Sequence, residues 1–531
     1  MAIASATTGA SAPEYTKYSN SVRLTVMAAV MMGTLMEMID TSIVNVAVPT
    51  LQGNLGATLD EITWVSTGYI LASVIMLPMT GWLSQVFGRR RYLAGSMLIF
   101  TVASFFCGTA HSLAMLVFFR IIQGVGGAAL MSTAQATLME IFPPRQIPMA
   151  QAIYGMCTLI GPSIGPTLGG WIIDTYTWRW IFFINVPLGI AASILTLTYL
   201  RDSGYARKAG RIDLLGIFLL AVGLGSLQTM LEKGTRENWF DSMLIVRLAI
   251  AAALGIGFFI WWELRVKQPV VNLRVLRHRG FAAGTLFAMV LGFALYGGIF
   301  VLPVFLQELR NYTPMQTGII MLPGALSAGA MMPFAARLTS RVSPRFMVLL
   351  GLMGTVGTML MFHHLTLDSG PEQILLPMIL RGLCMGLLFL PLILITLSGL
   401  KGLEIAQGTA FFNLSRQMGG SIGIAYLSTF LLNRTSFHYD RLREGLTVYN
   451  PITTLWLHRV MGGFMAHGSP AVVAKQQALC ALAGSVFTQA SILSYDDIFG
   501  LMAVLLVLAM PLLLLFERGK KMRERMHAPA E

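Results

Sequence analysis

The sequence predicts an all-α polytopic membrane protein with fourteen transmembrane helices. Of its 531 residues, 55% are hydrophobic and only 11% are charged, whereas soluble domains average about 25% charged residues. Apolar runs of about 18 residues or more, long enough to cross a bilayer as a helix, recur along the chain. This composition argues against a cytosolic enzyme, a secreted disulfide scaffold and a β-barrel, because a barrel shows short alternating segments instead.

The fourteen predicted spans follow one another with short loops between most of them. They lie near 24–50, 62–83, 92–110, 112–138, 149–173, 180–200, 213–231, 242–262, 281–307, 315–338, 346–366, 373–397, 406–432 and 497–516. An even number of spans places both termini on one side. The termini and the loops of that side, with Arg337 at the rim, hold 24 of the 37 Lys and Arg residues. Since short cytoplasmic loops are enriched in these residues, we expect both termini in the cytoplasm.

The spans group into two halves. We predict a disordered cytoplasmic N-terminus (1–21), an N-terminal six-helix bundle (22–200), a linker with two extra transmembrane helices (201–280), a C-terminal six-helix bundle (281–516) and a cytoplasmic basic tail (517–531). Residues 433–496 form a long extracytoplasmic loop, interpreted as a helical hairpin. Its second part is mildly apolar but is interrupted by Lys475, Gln476, Gln477 and Gln489.

The halves resemble each other, which indicates an internal repeat. The segment 81–89 aligns with 333–341, 161–165 aligns with 419–423, and Arg120 and Arg381 both lie in the fourth span of their half. Parallel six-helix repeats with a binding site between them are typical of transporters.

The first predicted span carries two acidic residues, Glu37 and Asp40. Asp40 lies 17 residues beyond Arg23, well inside the bilayer, and Glu37 shares its helical face. Two neighbouring carboxylates in a low-dielectric medium disfavour double ionisation, so the pair is a candidate for proton binding. Asn45 is expected to add a hydrogen bond. In the alternative interpretation, Asp40 pairs permanently with Arg120 and only holds helices together.

The fourth predicted span carries Arg120 and, one turn later, Gln123. An arginine at this depth costs at least about 2.5–3.5 kcal/mol on insertion scales, so it must face a partner or water. Arg120 therefore either takes part in proton coupling or acts as a structural polar clamp. Polar residues predicted to line a cavity are Asn45, Gln123, Asn413, Arg416 and Gln417.

The fifth predicted span carries a ten-residue run of glycines and prolines. Glycines four residues apart let helices approach closely, and each proline removes a backbone donor and can bend the helix. We expect a bend here to control closure of a central cavity. The residues concerned are Gly161, Pro162, Gly165, Pro166, Gly169 and Gly170.

The loop after the second span is a candidate gating loop. Its glycines permit a tight turn, and its arginines can bond helix C-terminal carbonyls and anchor the loop. Alternatively, the basic residues serve only to orient the chain in the membrane. The loop residues concerned are Gly81, Gln85, Gly88, Arg89 and Arg90.

Together these motifs resemble the major facilitator superfamily, and more closely its fourteen-span drug:H⁺ antiporters of the EmrB/QacA type. The likeness covers about residues 22–516 and includes the run 39–49 around Asp40, the Arg120 motif and the glycine-proline run of span five. The family's gating-loop aspartate is Gln85 here. The resemblance implies the major facilitator fold, proton coupling at Arg120 and export rather than import.

The function that this resemblance implies is proton-coupled efflux of hydrophobic drugs or toxic compounds by alternating access, with no cofactor and no metal. ATP use is not expected, because no phosphate-binding G-x-x-x-x-G-K-[ST] motif occurs. The alternatives are an importer or uniporter of a small metabolite on the same fold, a membrane-embedded enzyme, and a receptor or scaffold. A membrane enzyme would need a catalytic motif at membrane depth, and the four cysteines show no metal-ligand spacing.

The resemblance also implies a location and partners. Exporters of this type in two-membrane bacteria lie in the inner membrane and work with a periplasmic adaptor and an outer-membrane channel. We expect hydrophobic small molecules, protons and lipid as partners, no nucleic acid, and an adaptor contact at 433–496. The alternative is that this loop is a lid or a tolerated insertion.

Overall fold

A computed structural model describes residues 14–202, 213–266, 268–366, 369–400, 402–447 and 449–516, and within these ranges it contains helices and no strand. The helices are α1 Asn20–Leu55, α2 Leu59–Ile62, α3 Trp64–Met76, α4 Thr80–Val86, α5 Arg89–Gly108, α6 Leu113–Ile141, α7 Ile147–Thr175, α8 Trp180–Phe183, α9 Asn185–Tyr199, α10 Leu214–Lys233, α11 Met243–Arg265, α12 Arg279–Val304, α13 Pro314–Leu338, α14 Pro344–Phe362, α15 Pro371–Leu397, α16 Leu403–Glu444, α17 Pro451–Ala466 and α18 Ala471–Ala509. A 3₁₀ turn joins α3 to α4, and single residues separate α2 from α3 and α8 from α9. The segments α2–α4 and α8–α9 therefore each form one crossing.

In the described part of the chain, thirteen crossings are long and apolar enough to span a membrane. The predicted span 406–432 coincides with α16, which is not among the thirteen because polar residues such as Gln407, Asn413 and Arg416 lower its hydropathy. The helix nevertheless packs against α6, α12 and α18. That α16 crosses the bilayer therefore stays a prediction, whereas its contacts place it among the other long helices.

The helices pack as two bundles. The first contains α1, α3, α5, α6, α7 and α9, the second contains α12 to α16 and α18, and α10 pairs with α11. The bundles meet where α7 packs on α13 and where α16 packs on α4 and α6. Helix α10 contacts both α3 and α16, so the extra pair lies beside a seam between the bundles.

The start of α1, the start of α5 and the segment after α9 lie together on one side of the first bundle. We call this the basic side, and the opposite one the far side. On the basic side the Tyr18 hydroxyl accepts a hydrogen bond from the Arg201 backbone (3.0 Å), and the Arg90 backbone N–H donates to Asp202 (3.2 Å).

Two segments differ from the sequence predictions. Residues 14–21, predicted to be disordered, contain a 3₁₀ turn at Glu14–Lys17 and the first residues of α1, which the Ser19 side chain caps. The rest of the predicted N-terminus (1–13), most of the basic loop 201–212 and the tail 517–531 lie outside the described residues.

The excursion 433–496 is helical, as predicted, but it is not a separate hairpin. Helix α16 continues to Glu444, α17 packs against α18, and α18 is one 39-residue helix that continues into the last span. Lys and Gln lower hydropathy but are good helix formers, so they interrupt the apolar pattern without ending the helix. At 1.5 Å per residue α18 is about 58 Å long, roughly twice the hydrocarbon thickness. We call the part of 433–493 beyond the bundle the far-side protrusion.

The base of the protrusion is fixed by polar contacts between α16 and α18. Arg434 Nε and His438 Nε2 lie 2.7 and 2.8 Å from the same oxygen, Oδ2 of Asp497. The Thr435 hydroxyl donates to the Ser494 hydroxyl (3.2 Å). These contacts hold the two long helices together where they leave the bundle.

Candidate functional site

A charged centre lies inside the N-terminal bundle, around Asp40 of α1. The Asp40 side chain is 0% exposed, and Arg120 Nη1 of α6 donates to its Oδ2 at 2.5 Å. Gln123 Nε2 and Asn185 Nδ2 donate to its other oxygen at 2.9 and 3.0 Å. Removing two ions from water is costly, and the cost is offset only when the pair has good geometry and its remaining lone pairs are satisfied. Asp40 meets this condition because donors from α6 and α9 bond both of its carboxylate oxygens.

Arg120, like Asp40, has several interaction partners. Its Nε donates to the Val65 carbonyl of α3 (3.0 Å), and its Nη1 also donates to Gln123 Oε1 (2.9 Å). The guanidinium carbon lies 4.3 Å from the centre of the Tyr69 ring, within range of a cation–π interaction. In this conformation the Asp40–Arg120 pair therefore links α1, α3, α6 and α9, the arrangement expected of a structural clamp.

Glu37 lies one turn before Asp40 and has a different environment. It is 4% exposed, and its Oε1 accepts a long hydrogen bond from the Tyr69 hydroxyl (3.4 Å). Its Oε2 has no hydrogen-bond partner among the described residues. The two α1 carboxylates are thus both buried, as predicted, but only Asp40 is saturated by donors.

The glycines of the fifth span bring α7 against α1. A Cβ at 165 would overlap the Ser42 hydroxyl, and Cβ atoms at 161 and 169 would lie 2.5 Å from Met38 Cβ and 2.7 Å from Ile43 Cγ1. Both prolines, Pro162 and Pro166, lie inside α7, which continues from Ile147 to Thr175.

Helix α7 also faces the other bundle. A Cβ at Gly170 would lie 3.8 Å from Met315 of α13, and Gly318 and Gly329 of α13 pack on α7 side chains. The glycine-proline run is therefore placed between α1 and the C-terminal bundle. A change in the shape of α7 would act on both.

The predicted gating loop is partly helical, because Gly81 and Gln85 belong to α4. This helix contacts α5, α6 and α16. Gly81 touches the α16 backbone, since a Cβ there would lie 2.9 Å from Gln407 Cα. Gly88 has φ +80°, which favours glycine, and begins α5. Arg89 forms a buried ion pair with Glu140 at the end of α6, rather than bonding helix C-terminal carbonyls as predicted. The local pattern of the loop gave no signal for this acidic partner.

Arg90 and Gln85, two other residues of the predicted gating loop, differ in their hydrogen bonding. The Arg90 backbone N–H binds the Asp202 carboxylate across the basic side. The buried Nε2 of Gln85, the residue at the family's aspartate position, has no hydrogen-bond partner among the described residues. The loop is thus held by Gly81, Arg89 and Arg90, not by residue 85.

The predicted cavity-lining residues do not form one surface. Asn45 is exposed and accepts a hydrogen bond from Ser66, whereas Gln123 is fully buried in the Asp40 centre. Asn413 and Arg416 are buried in α16, and the Oε1 of Gln417 is buried without a partner among the described residues. In this conformation Gln123, Asn413 and Arg416 are packing and bonding residues rather than cavity walls.

Asn413 and Arg416 make polar contacts between the bundles. Asn413 Nδ2 donates to Gln135 Oε1 of α6 (2.7 Å), and Arg416 Nη2 contacts the Met131 sulfur (2.9 Å). Both α6 residues lie toward the basic side. Together with the Gly81–Gln407 contact, they close the bundles against each other on that side.

The internal repeat has diverged at its buried arginines. Arg381 of α15, the counterpart of Arg120, reaches only the carbonyls of Leu295 and Gly298, at 3.5 Å, and none of the described acidic residues forms an ion pair with it. Within the described ranges, the buried Asp40–Arg120 pair therefore has no counterpart at the matching place in the C-terminal half.

Two bundles of six membrane helices, with a charged centre in one and polar contacts between them, define a polytopic transporter. The sequence profile of the Major Facilitator Superfamily matches residues 30–424. The multidrug export protein EmrB of Escherichia coli (strain K12) is 34% identical over 90% of this chain and 91% of its own length. EmrB of Haemophilus influenzae is 33% identical over 93% of this chain and 96% of its own length. The human organic anion transporter MFSD10 shares the fold, with a TM-score of 0.56 and 13% identity over 91% of this chain and 99% of that one.

The chain belongs to the major facilitator superfamily. The predicted family and helical fold class are confirmed, and family and fold indicate a transporter rather than an enzyme.

Proposed function

We propose that this protein exports hydrophobic drugs or toxic compounds in exchange for protons, by alternating access between its two bundles. The observation that carries the proposal is the buried acidic pair in α1, in a chain similar to multidrug export proteins over nine-tenths of its length. Ionisable residues inside membrane spans commonly mark proton pathways. The proton gradient would supply the free energy, so no cofactor is needed.

We further propose that the basic side faces the cytoplasm of a bacterium and the far side faces the periplasm. The Lys and Arg bias of the short loops supports this orientation. In the conformation described above, contacts from α16 to α4 and α6 close the basic side. It would therefore represent a state that has released substrate outward.

Inside-out membrane vesicles provide the direct test of direction and coupling. With the lumen more acidic by two pH units, a hydrophobic fluorescent dye is expected to accumulate in the lumen. Because one pH unit is worth about 1.36 kcal/mol, one-for-one exchange of a neutral dye gives about a hundredfold concentration ratio.

The controls use vesicles without the protein and vesicles whose gradient is collapsed by an ionophore. Accumulation that survives collapse of the gradient would reject proton coupling. Dye movement in the same direction as protons would instead indicate a symporter. The surface variant Asp60→Asn, at an exposed ion pair with Arg236, should transport as the wild type does.

The far-side protrusion is the proposed contact for a periplasmic adaptor of a three-part pump. Its apolar side chains are unusually exposed, including Ile452 (77%) and Leu455 (70%) of α17 and Val472 (76%) of α18. Exposed apolar residues grouped beyond the membrane are typical of a protein interface.

Acidic substitutions on α17 test this contact. We expect Ile452→Asp with Leu455→Asp to lower recovery of a co-expressed adaptor in a pull-down by at least about tenfold, since two apolar contacts of roughly 1 kcal/mol or more are lost. Dye binding by the purified transporter should not change. Gln476→Asp, at an exposed polar site on α18, is the matched control. Equal recovery with all three proteins would leave the protrusion without an adaptor role.

A further inference from the structure

Two buried charged side chains face the bundle interface without an ion-pair partner among the described residues. One is Glu37 of α1, whose Oε2 is orphaned. The other is Arg416 of α16, 1% exposed, whose Nε is orphaned and whose other nitrogens contact the Tyr296 hydroxyl, the Met131 sulfur and Asn413. None of these contacts is to an acidic group. Burying a charged side chain without an opposite charge beside it costs free energy, so a function of these two side chains would explain their burial.

The two side chains lie against consecutive turns of α6. The Tyr69 hydroxyl that bonds Glu37 sits over Gly127, where a Cβ would overlap it. Met131, which Arg416 contacts, is four residues further along and so on the same face of α6. Such neighbouring positions are about 5–6 Å apart. Arg416 is therefore within electrostatic range of Glu37. The Tyr154 hydroxyl of α7 donates to the carbonyl of Met131, the residue that Arg416 contacts (3.2 Å).

Asp40 and Glu37 differ in the bundle to which their charged interaction partners belong. Its partners Arg120, Gln123 and Asn185 all belong to the N-terminal bundle. A proton on Asp40 would loosen that bundle internally. A proton on Glu37 would change the attraction between the two bundles, because Arg416 belongs to the other one.

We propose that Glu37 and Arg416 form the proton-controlled contact between the bundles, an inference that rests on the proposed function. Ionised Glu37 attracts Arg416 and holds the basic side closed. A proton arriving from the far side neutralises the carboxylate, leaves it bonded to Tyr69 and lowers the free energy needed to open the basic side. Release of that proton on the basic side restores the attraction. This order of events is the one an antiporter needs on its return step.

The other groups around this contact leave Arg416 as the uncompensated charge. Besides Glu37 and Arg416 themselves, the charged and titratable groups around the contact are Asp40 of α1, Tyr69 of α3, Arg120 of α6, Tyr154 of α7 and Tyr296 of α12. Asp40 and Arg120 form an ion pair with each other.

The test measures opening of the basic side directly, without a substrate. Spin labels are placed at Phe87→Cys and Gly399→Cys, exposed positions in basic-side loops of the two halves, after replacement of the four native cysteines. Distances between the labels are recorded from pH 5 to 9 in lipid nanodiscs by double electron–electron resonance.

We expect the long-distance population of the wild-type background to rise as the pH falls. Glu37→Gln and Arg416→Gln should each show the long distance at every pH, with an open-to-closed ratio at high pH raised at least about tenfold. Arg416→Lys, which keeps the charge, should retain the pH response and shows that position 416 tolerates substitution. Arg381→Gln, at a buried arginine whose side chain bonds two α12 carbonyls of its own bundle, should behave as the wild type.

A closed state with normal pH response in Glu37→Gln would overturn the inference, as would a wild type that does not open at low pH. Neither result would touch the proposed function, which depends on gradient-driven dye accumulation in vesicles. Failure of that accumulation with an intact pH-dependent opening would reject the exporter and leave the contact standing.

Discussion

Replacing Arg120 with leucine is expected to destabilise the folded transporter strongly. The substitution leaves the Asp40 carboxyl group at 0% exposure with two amide donors and without its guanidinium partner. Removing one member of a buried ion pair typically costs about 3–5 kcal/mol. Thermal unfolding of the detergent-purified protein, followed by size-exclusion chromatography, measures the loss.

The double variant Arg120→Leu/Asp40→Asn should recover much of this stability, because it removes the stranded charge. Arg381→Leu is the matched control. No acidic residue in the described ranges pairs with that arginine, so its removal should leave the melting temperature unchanged or higher. Equal losses in the single and double variants would show that packing around residue 120, not charge pairing, determines stability.

Gly165→Val should be the most damaging single change in the glycine-proline run. Its Cβ would overlap the Ser42 hydroxyl and lie 2.8 Å from Ser42 Cβ, so α1 and α7 would have to separate. Overpacking of this kind costs about 1–3 kcal/mol, and separation of the helices also displaces Asp40. We expect a lower melting temperature and loss of dye transport.

Gly170→Ala, five residues later in the same run, is the control. Its added methyl would meet only Met315 Cβ at an ordinary 3.8 Å, so stability and transport should be close to wild type. If Gly165→Val were as active as Gly170→Ala, the α1–α7 contact would not be a close-packed one in the working cycle.

Hydropathy and glycine pattern predicted most of the fold, because the bilayer sets helix length and the Gly-x-x-x-Gly spacing sets one face of α7. The buried acid and arginine were also recognisable, since charges at that depth are conspicuous in an apolar span. Their full set of partners was not. Asn185, Tyr69 and Gln135 reach the site from spans far apart in sequence, and hydropathy reports which segments are buried without reporting which faces meet.

The same reason accounts for the two main corrections. Glu140 pairs with Arg89 across about fifty residues, and nothing in the loop pattern distinguishes it from any other acidic residue at a helix end. The continuity of α18 escaped prediction because polar helix formers end an apolar run without ending a helix.

The uninterrupted α18 has a mechanical consequence. A helix of about 58 Å without a hinge behaves as a stiff rod whose inner half is packed in the C-terminal bundle. A rotation of about 10° about the inner end of α18 would move its outer tip by about 10 Å, since the helix is about 58 Å long. The position of the tip on the far side would therefore depend on which side of the transporter is open.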